Sequence, residues 1–275
     1  MKDHKDQVAS HYNAKKKDFN FVIAQGGGVV HHHEGLLTED EASKLVNLRD
    51  EITLKKTIYQ LESNLVGFLA DFIHPSPSVT SIGFDAGCGR GGSSILLNQR
   101  YGCDMKGVTL SKYQADFANK AAHSQKRGSQ LVFRREDMTE TSFDNNTFDF
   151  IWACGSTEHI VDLRKMFKEF YRVAKPGAPL IVYTWTRNDE RKDVEEFASQ
   201  VDDWYKCKLH NAGQYKQMAQ ESGWSLEKDM DCTEDGARYW ELRTRLKKGS
   251  GSEKFMYPGF RGHALNYWLF VFRKI

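Results

Sequence analysis

The stretch Ile82-Gly-Phe-Asp-Ala-Gly-Cys-Gly-Arg-Gly-Gly92 restricts this chain more than any other. A short apolar run leads into it and a helix-forming run, 91–101, leads out. Glycines at 87, 89 and 91 let a backbone turn sharply and approach a ligand closely. Beyond it, strand and helix patterns alternate. Strands are predicted at 81–85, 105–110, 131–135, 148–154, 180–184, 225–232 and 264–272. Helices are predicted at 91–101, 112–126, 163–174, 189–205, 211–221 and 237–247. Such alternation implies a mostly parallel sheet with helices on both faces, an α/β fold.

Upstream, residues 1–18 are polar and Lys-rich and are predicted as an arm or short helix. Thr38 with Glu41 has the spacing of a capping box. Apolar residues then recur every three or four positions to 73, so one or two helices precede the main domain. "HPSPS" at 74–78 ends them. The expected organisation is an N-terminal arm and helical cap over 1–75, then a domain over 76–275 with substrate-binding insertions around 186–262.

Composition excludes several classes. The 275 residues carry a net charge of +2, which gives no global field for nucleic acid or an anionic membrane. Five cysteines, at 88, 103, 154, 207 and 232, show no C-x-x-C spacing, which argues for free thiols in a reducing compartment. The longest apolar run, 267–272, is far short of the roughly twenty residues that a membrane helix needs. The start, MKDHKDQ, leads into no apolar signal region. A cytoplasmic protein is expected. A homo-oligomer is left open.

Asp85, two positions before Gly87, sharpens the glycine loop. A pyrophosphate at the helix N-terminus would meet repulsion from this carboxylate. A ligand with a cationic end, such as the amino group of S-adenosylmethionine, would be attracted. D-x-G-x-G-x-G resembles the first motif of class I methyltransferases, which implies their Rossmann-like, seven-stranded fold and that cofactor. The resemblance assigns Asp85, Gly87, Cys88, Gly89 and Gly91 to the cofactor. The second strand ends in Val108-Thr-Leu-Ser111 without the acid that often holds the ribose. Thr109, Leu110 and Gln114 are the substitutes there, and Asp137 with Met138 is placed at the adenine.

A narrower resemblance rests on phrases in order along the chain: "HHHEGLL" (31–37), "FDAGCGRGGSS" (84–94), "NQRYGCDMKGVTLSKYQADFANKAA" (98–122), "CKLHNAGQY" (207–215) and "DCTEDGARYWELR" (231–243). These resemble the bacterial geranyl diphosphate and terpenoid C-methyltransferases. The resemblance implies transfer of a methyl group to an alkene carbon of a prenyl diphosphate or other terpenoid, through a tertiary carbocation that is quenched by deprotonation or cyclisation. It also implies that His31, His32 and His33 lie on a lid over the pocket. Three adjacent histidines suit a zinc site poorly, because successive side chains diverge. A solvated polar turn is the plain alternative.

A carbocation needs a dry cavity with π faces. Trp185, Tyr239 and Trp240 are the candidates for that wall. A diphosphate needs cations or Mg²⁺. Arg243, Arg261 and Lys15–Lys17 could supply charge, and Glu241 could hold Mg²⁺ through water or pair with Arg243. No metal site is otherwise indicated.

The chain departs from the family after the fourth strand. The family phrase resembles W-N-N-E-S-T-M-Y-V-D-L, whose Glu is placed to accept a proton. This chain has Trp152-Ala-Cys-Gly-Ser-Thr-Glu-His-Ile-Val-Asp-Leu163, with Gly155 at the Glu position. Glu158, His159 and His210 are the candidate bases. A cation without a prompt base lives longer, so a substrate other than plain geranyl diphosphate is expected. An O- or N-methyltransferase acting on a scaffold such as a prenylated indole is the second enzyme class. A methyltransferase-like binding module is the non-enzymatic one, and Asp85 counts against an NAD-dependent oxidoreductase.

Overall fold

The computed structural model describes residues 3–26 and 28–275. Four helices come first: α1 (His4–Ala14), α2 (Phe19–Ile23), α3 (Glu39–Lys44) and α4 (Glu51–Ala70). The α/β part follows as β1 (Ile82–Ala86), α5 (Gly92–Tyr101), β2 (Asp104–Thr109), α6 (Lys112–Ser124), β3 (Leu131–Arg135), β4 (Phe150–Cys154), α7 (Leu163–Val173) and β5 (Pro179–Arg187). It ends with α8 (Val194–Tyr205), α9 (Ala212–Glu221), β6 (Trp224–Asp231), α10 (Thr233–Thr244), α11 (Glu253–Arg261) and β7 (Leu265–Lys274).

The seven strands form one sheet in the order β3-β2-β1-β4-β5-β7-β6. β1 to β5 run parallel, and β7 is antiparallel to both β5 and β6. Strand order reverses between β1 and β4, so their carboxyl ends open a crevice where open α/β sheets bind ligands. Central strands are apolar on both faces, as a buried parallel sheet requires. In β4, Phe150, Trp152 and Cys154 join one core with α4, α5, α6, α10 and α11, whereas Ile151 and Ala153 join the other with α7 and α9.

Local signals explain most boundaries. The Thr38 hydroxyl and Glu41 form the expected capping box of α3. Asp50 caps α4, and Ser111 caps α6. Four expectations need correction. β4 starts at Phe150 rather than 148, since Phe148 forms only an isolated bridge to Ala174. α8 starts at Val194 rather than 189, because Asn188 folds 188–191 into a turn through its carboxamide and carbonyl oxygens. α10 covers Thr233–Thr244 rather than 237–247, because Asp231 Oδ1 accepts from the Thr233 backbone N–H and hydroxyl and starts the helix early. α11 was not expected, since a Gly-Ser run precedes it and Pro258 lies inside it.

α1 gives residues 4–14 a fixed place, although Met1 and Lys2 lie outside the described residues. Asn13 Oδ1 accepts from the Ser111 hydroxyl at 2.8 Å and the Tyr113 backbone N–H at 3.1 Å, so α1 docks on the start of α6. This puts α1 across the mouth of the crevice.

Candidate active site

Two cavities meet at the β1–β4 crevice. The first, about 300 Å³, is lined by Gly87 and Gly89 of the glycine loop, Thr109, Leu110 and Gln114 beyond β2, and Asp137 and Met138 beyond β3. Helix α1 closes it with Lys5, Val8 and Tyr12. Gly87 has φ +83°, and a Cβ there would lie 2.4 Å from Ser156 Cβ, so only glycine fits. Thr109 donates its hydroxyl to Gln114 Oε1 at 2.7 Å. Asp137 Oδ2 takes Lys5 Nζ at 2.5 Å, and Oδ1 accepts from the Thr139 N–H and hydroxyl.

Below the loop, Asp85 lies in a small recess lined by His31, His32 and His33. Ser94 donates to its Oδ2 at 2.6 Å. Burial pushes the Asp85 carboxyl up to about 7. His31 Nδ1, His32 Nε2 and His33 Nε2 are enclosed without a hydrogen-bond partner. Burial also drives His32 down to about 3 and His33 to about 4, so the rings are neutral and able to donate or accept. The recess, about 20 Å³, has room for one water-sized group, and a buried carboxyl beside open hydrogen-bonding groups matches an ammonium group in chemistry.

Of the residues assigned to the cofactor, Gly91 lines neither the first cavity nor the Asp85 recess. Gly91 packs α5 onto the sheet, because a Cβ there would meet Phe133 at 2.9 Å and Ala118 at 3.0 Å. Cys88 borders the Asp85 recess, and it lines the first cavity with no atom.

The second cavity, about 850 Å³, is lined by Phe19, Trp185 and Tyr205, by the carboxyls Asp18, Glu34, Glu158 and Asp203, and by Lys15, Lys17, Lys55, Lys206, Lys248 and Arg243. Tyr12, His32, Gly155 and His159 line both cavities and form the passage between them. Gly155 has φ +62°, and a Cβ there would lie 3.0 Å from His33 Cβ. The lid backbone therefore rests directly on the end of β4.

The candidate bases separate. His159 Nδ1–H donates to the Lys206 carbonyl and Nε2 accepts from the Tyr12 hydroxyl, both at 3.0 Å. Burial lowers its pKa to about 4, so it is a weak base with its lone pair engaged. His210 donates Nε2–H to the Ile160 carbonyl at 2.8 Å and lines neither cavity, which removes it as a base. Glu158 reaches the cavity wall, and burial raises it to about 7. Its Oε1 accepts from the Trp185 backbone N–H, and its Oε2 is enclosed with no partner.

The "YWELR" phrase is also corrected. Tyr239 and Trp240 are buried behind the cavity: the Tyr239 hydroxyl donates to Glu62, and Trp240 Nε1–H donates to the Tyr267 hydroxyl, each at 2.8 Å. Glu241 faces away and lies 3.5 Å from Arg245, so it is no partner of Arg243. Arg243 pairs instead with Glu253 at 2.7 Å and stacks over Phe19 and Trp240. Arg261 pairs with Glu234 at the surface, and Lys16 lines neither cavity.

Sequence reasoning missed Glu34, although it is the fourth residue of "HHHEGLL" and lines the second cavity. It also missed Arg90 in the glycine loop, whose guanidinium binds Asp18 at 2.9 Å and the Lys15 carbonyl. No cluster of His, Cys, Asp and Glu suited to a metal ion occurs among the described residues, and no helix among them is long and apolar enough to cross a membrane.

A methyltransferase-domain family model matches residues 84–182. Geranyl diphosphate 2-C-methyltransferase of Streptomyces ambofaciens is 31% identical over 265 residues, which cover 95% of this chain and 90% of that protein. The solved structure of a geranyl diphosphate methyltransferase with GPP and sinefungin superposes with a TM-score of 0.92 at 28% identity, covering 99% of this chain and all of that one. The Streptomyces coelicolor geranyl diphosphate C-methyltransferase, solved with Mg²⁺, geranyl diphosphate and S-adenosyl-L-homocysteine, gives 0.91 at 27% identity, covering all of this chain and 99% of that one. The sheet order and the glycine-loop cavity are those of an S-adenosylmethionine-dependent methyltransferase of the Rossmann-like class. Within that class, the chain belongs to the geranyl diphosphate C-methyltransferase family.

Proposed function

We propose that this chain transfers the methyl group of S-adenosylmethionine to an alkene carbon of a prenyl diphosphate. The observation that carries this reading is the junction, at Tyr12, His32, Gly155 and His159, of the cofactor cavity with a second cavity whose wall combines aromatic rings (Phe19, Trp185, Trp204, Tyr205) with six basic side chains. The relatives named above are geranyl diphosphate C-methyltransferases, which supports the same substrate class.

When bound, S-adenosylmethionine supplies an electrophilic methyl group to a weak carbon nucleophile. The residues present fit it. Asp85 receives the ammonium end, His31 to His33 serve its carboxylate, Thr109 and Gln114 face the ribose, and Asp137 with Met138 faces the adenine. Residues 1–75 act as the cap, with α1 and the 31–34 lid excluding water. Lys15, Lys17, Lys206 and Lys248 form no ion pair among the described residues and suit a diphosphate at the mouth. Mg²⁺ would enter on that diphosphate rather than on a protein cluster. Trp185 offers a π face to positive charge, whereas the Tyr12 and Tyr205 rings already face the Lys15 ammonium, and the Glu158 carboxyl lines the same wall.

The test is product analysis by mass spectrometry with isopentenyl, geranyl and farnesyl diphosphates and prenylated indoles. One prenyl diphosphate gaining a carbon-bound methyl supports the proposal. Methylation confined to oxygen or nitrogen of the indoles overturns it in favour of the alternative class.

A further inference from the structure

We propose that Glu34, carried into the cavity by the lid, accepts the proton that leaves the methylated substrate and so decides which alkene forms. This rests on the function proposed above. The end of β4 presents no side chain to the junction, because position 155 is glycine with φ +62°. The lid fills that space: the His33 Cα and Cβ lie 3.4 and 3.0 Å from where a Cβ would stand. The next residue along the lid is Glu34, and it lines the substrate cavity.

Its surroundings suit a proton acceptor. Glu34 forms no ion pair among the described residues, and the nearby Arg243 is committed to Glu253. Burial raises its carboxyl to about 8, opposed by the field of Arg243, while the neighbouring Glu158 adds to the rise. A carboxylate with a raised pKa is a stronger base once ionised. Glu34 shares the cavity wall with the rings of Trp185 and Tyr205. Glu158 is anchored at the end of β4, its Oε1 held by the Trp185 backbone amide and its Oε2 enclosed without a partner, whereas Glu34 rides on the lid. The charge of Glu158 stabilises the cation without taking the proton.

The step balances. The alkene π pair forms the new carbon–methyl bond as the methyl–sulfur bond breaks. A C–H bond next to the cationic carbon then gives its pair to a new C=C bond. The proton passes to the Glu34 carboxylate and leaves to water after product release.

The experiment compares wild type, Glu34→Gln and Glu34→Asp. It measures S-adenosylhomocysteine binding by calorimetry, the pH profile of kcat/KM for the accepted prenyl diphosphate at saturating S-adenosylmethionine, and the product mixture. Glu34→Gln should bind S-adenosylhomocysteine like wild type yet form the wild-type alkene about 100-fold more slowly or worse. It should also divert product to water-trapped alcohols and lose the acid limb of the pH profile. Glu34→Asp should regain part of the rate with that limb displaced. An unchanged alkene and pH profile, with a rate within about threefold of wild type in either variant, overturns this inference alone. Wild type that makes no C-methylated product overturns the proposed function, and this inference with it.

Discussion

Arg90, fully buried in the glycine loop, forms a hydrogen-bonded ion pair with Asp18 in the segment between α1 and α2. A second guanidinium nitrogen donates to the Lys15 carbonyl. One side chain thus ties the glycine loop of the first cavity to the segment that lines the second.

Replacing Arg90 with Ala leaves Asp18 half-enclosed without its partner and frees the Lys15 carbonyl. Removing one member of a buried pair costs about 3 kcal/mol. Urea denaturation of Arg90→Ala should show a loss near that size, together with weaker cofactor binding by calorimetry. Unchanged values of both would show that the N-terminal segment closes the site independently of the loop.

Asp85 should make cofactor binding depend on pH. Its carboxyl is pushed up to about 7 by burial, and only the ionised form attracts an ammonium group. Affinity should fall as pH drops below 7, and binding near pH 7 should release a proton, seen as a buffer-dependent enthalpy. Asp85→Asn should weaken binding by about 1.5–3 kcal/mol, the range for hydrogen bonds to charged groups.

Four buried carboxyls also set a stability trend. Glu34 and Glu62 are raised to about 8, and Asp85 and Glu158 to about 7, in each case by burial first. The folded chain therefore holds protons that the unfolded chain has released, and the stability this gives at low pH is lost progressively from the ordinary carboxyl range up to about pH 7 to 8, where the loss levels off. The buried histidines, with pKa values lowered to about 3 or 4, act oppositely, but only as pH falls below 6.5. Between pH 6.5 and 8 the ligand-free chain should lose stability. Glu62→Gln should reduce that loss by about 1–2 kcal/mol, measured by denaturant titration at both pH values.

Restoring a side chain at the end of β4 should fail. Gly155→Ala puts a Cβ in left-handed backbone and 3.0 Å from His33 Cβ. The left-handed conformation alone costs about 1–2 kcal/mol, and the lid must shift besides. Lower thermal stability and a raised KM for both substrates are the expected outcome; wild-type values of both would place the lid off the strand.

The sheet was readable because each strand and helix carries its own periodicity and punctuation, and Asp85 with its glycines is a local motif. What the sequence concealed depends on contacts between distant segments. Glu241 was read as either holding Mg²⁺ through water or pairing with Arg243, two residues away; Arg243 instead meets Glu253 on a helix hidden by a Gly-Ser run and Pro258. Tyr239 and Trp240 are aromatic in either role, and only packing shows that they stand behind the wall. Glu34 lay in plain sight beside three histidines, but nothing local distinguishes a lid carboxyl that enters a cavity from one in solvent.

The most direct test uses S-adenosylmethionine labelled with ¹³C in its methyl group, incubated with the enzyme and the accepted prenyl diphosphate. The expected product shows the label coupled to an alkene or allylic carbon in its ¹³C spectrum. A label at a methoxy or N-methyl shift, or no transfer to any prenyl diphosphate, would contradict carbon methylation in this cavity.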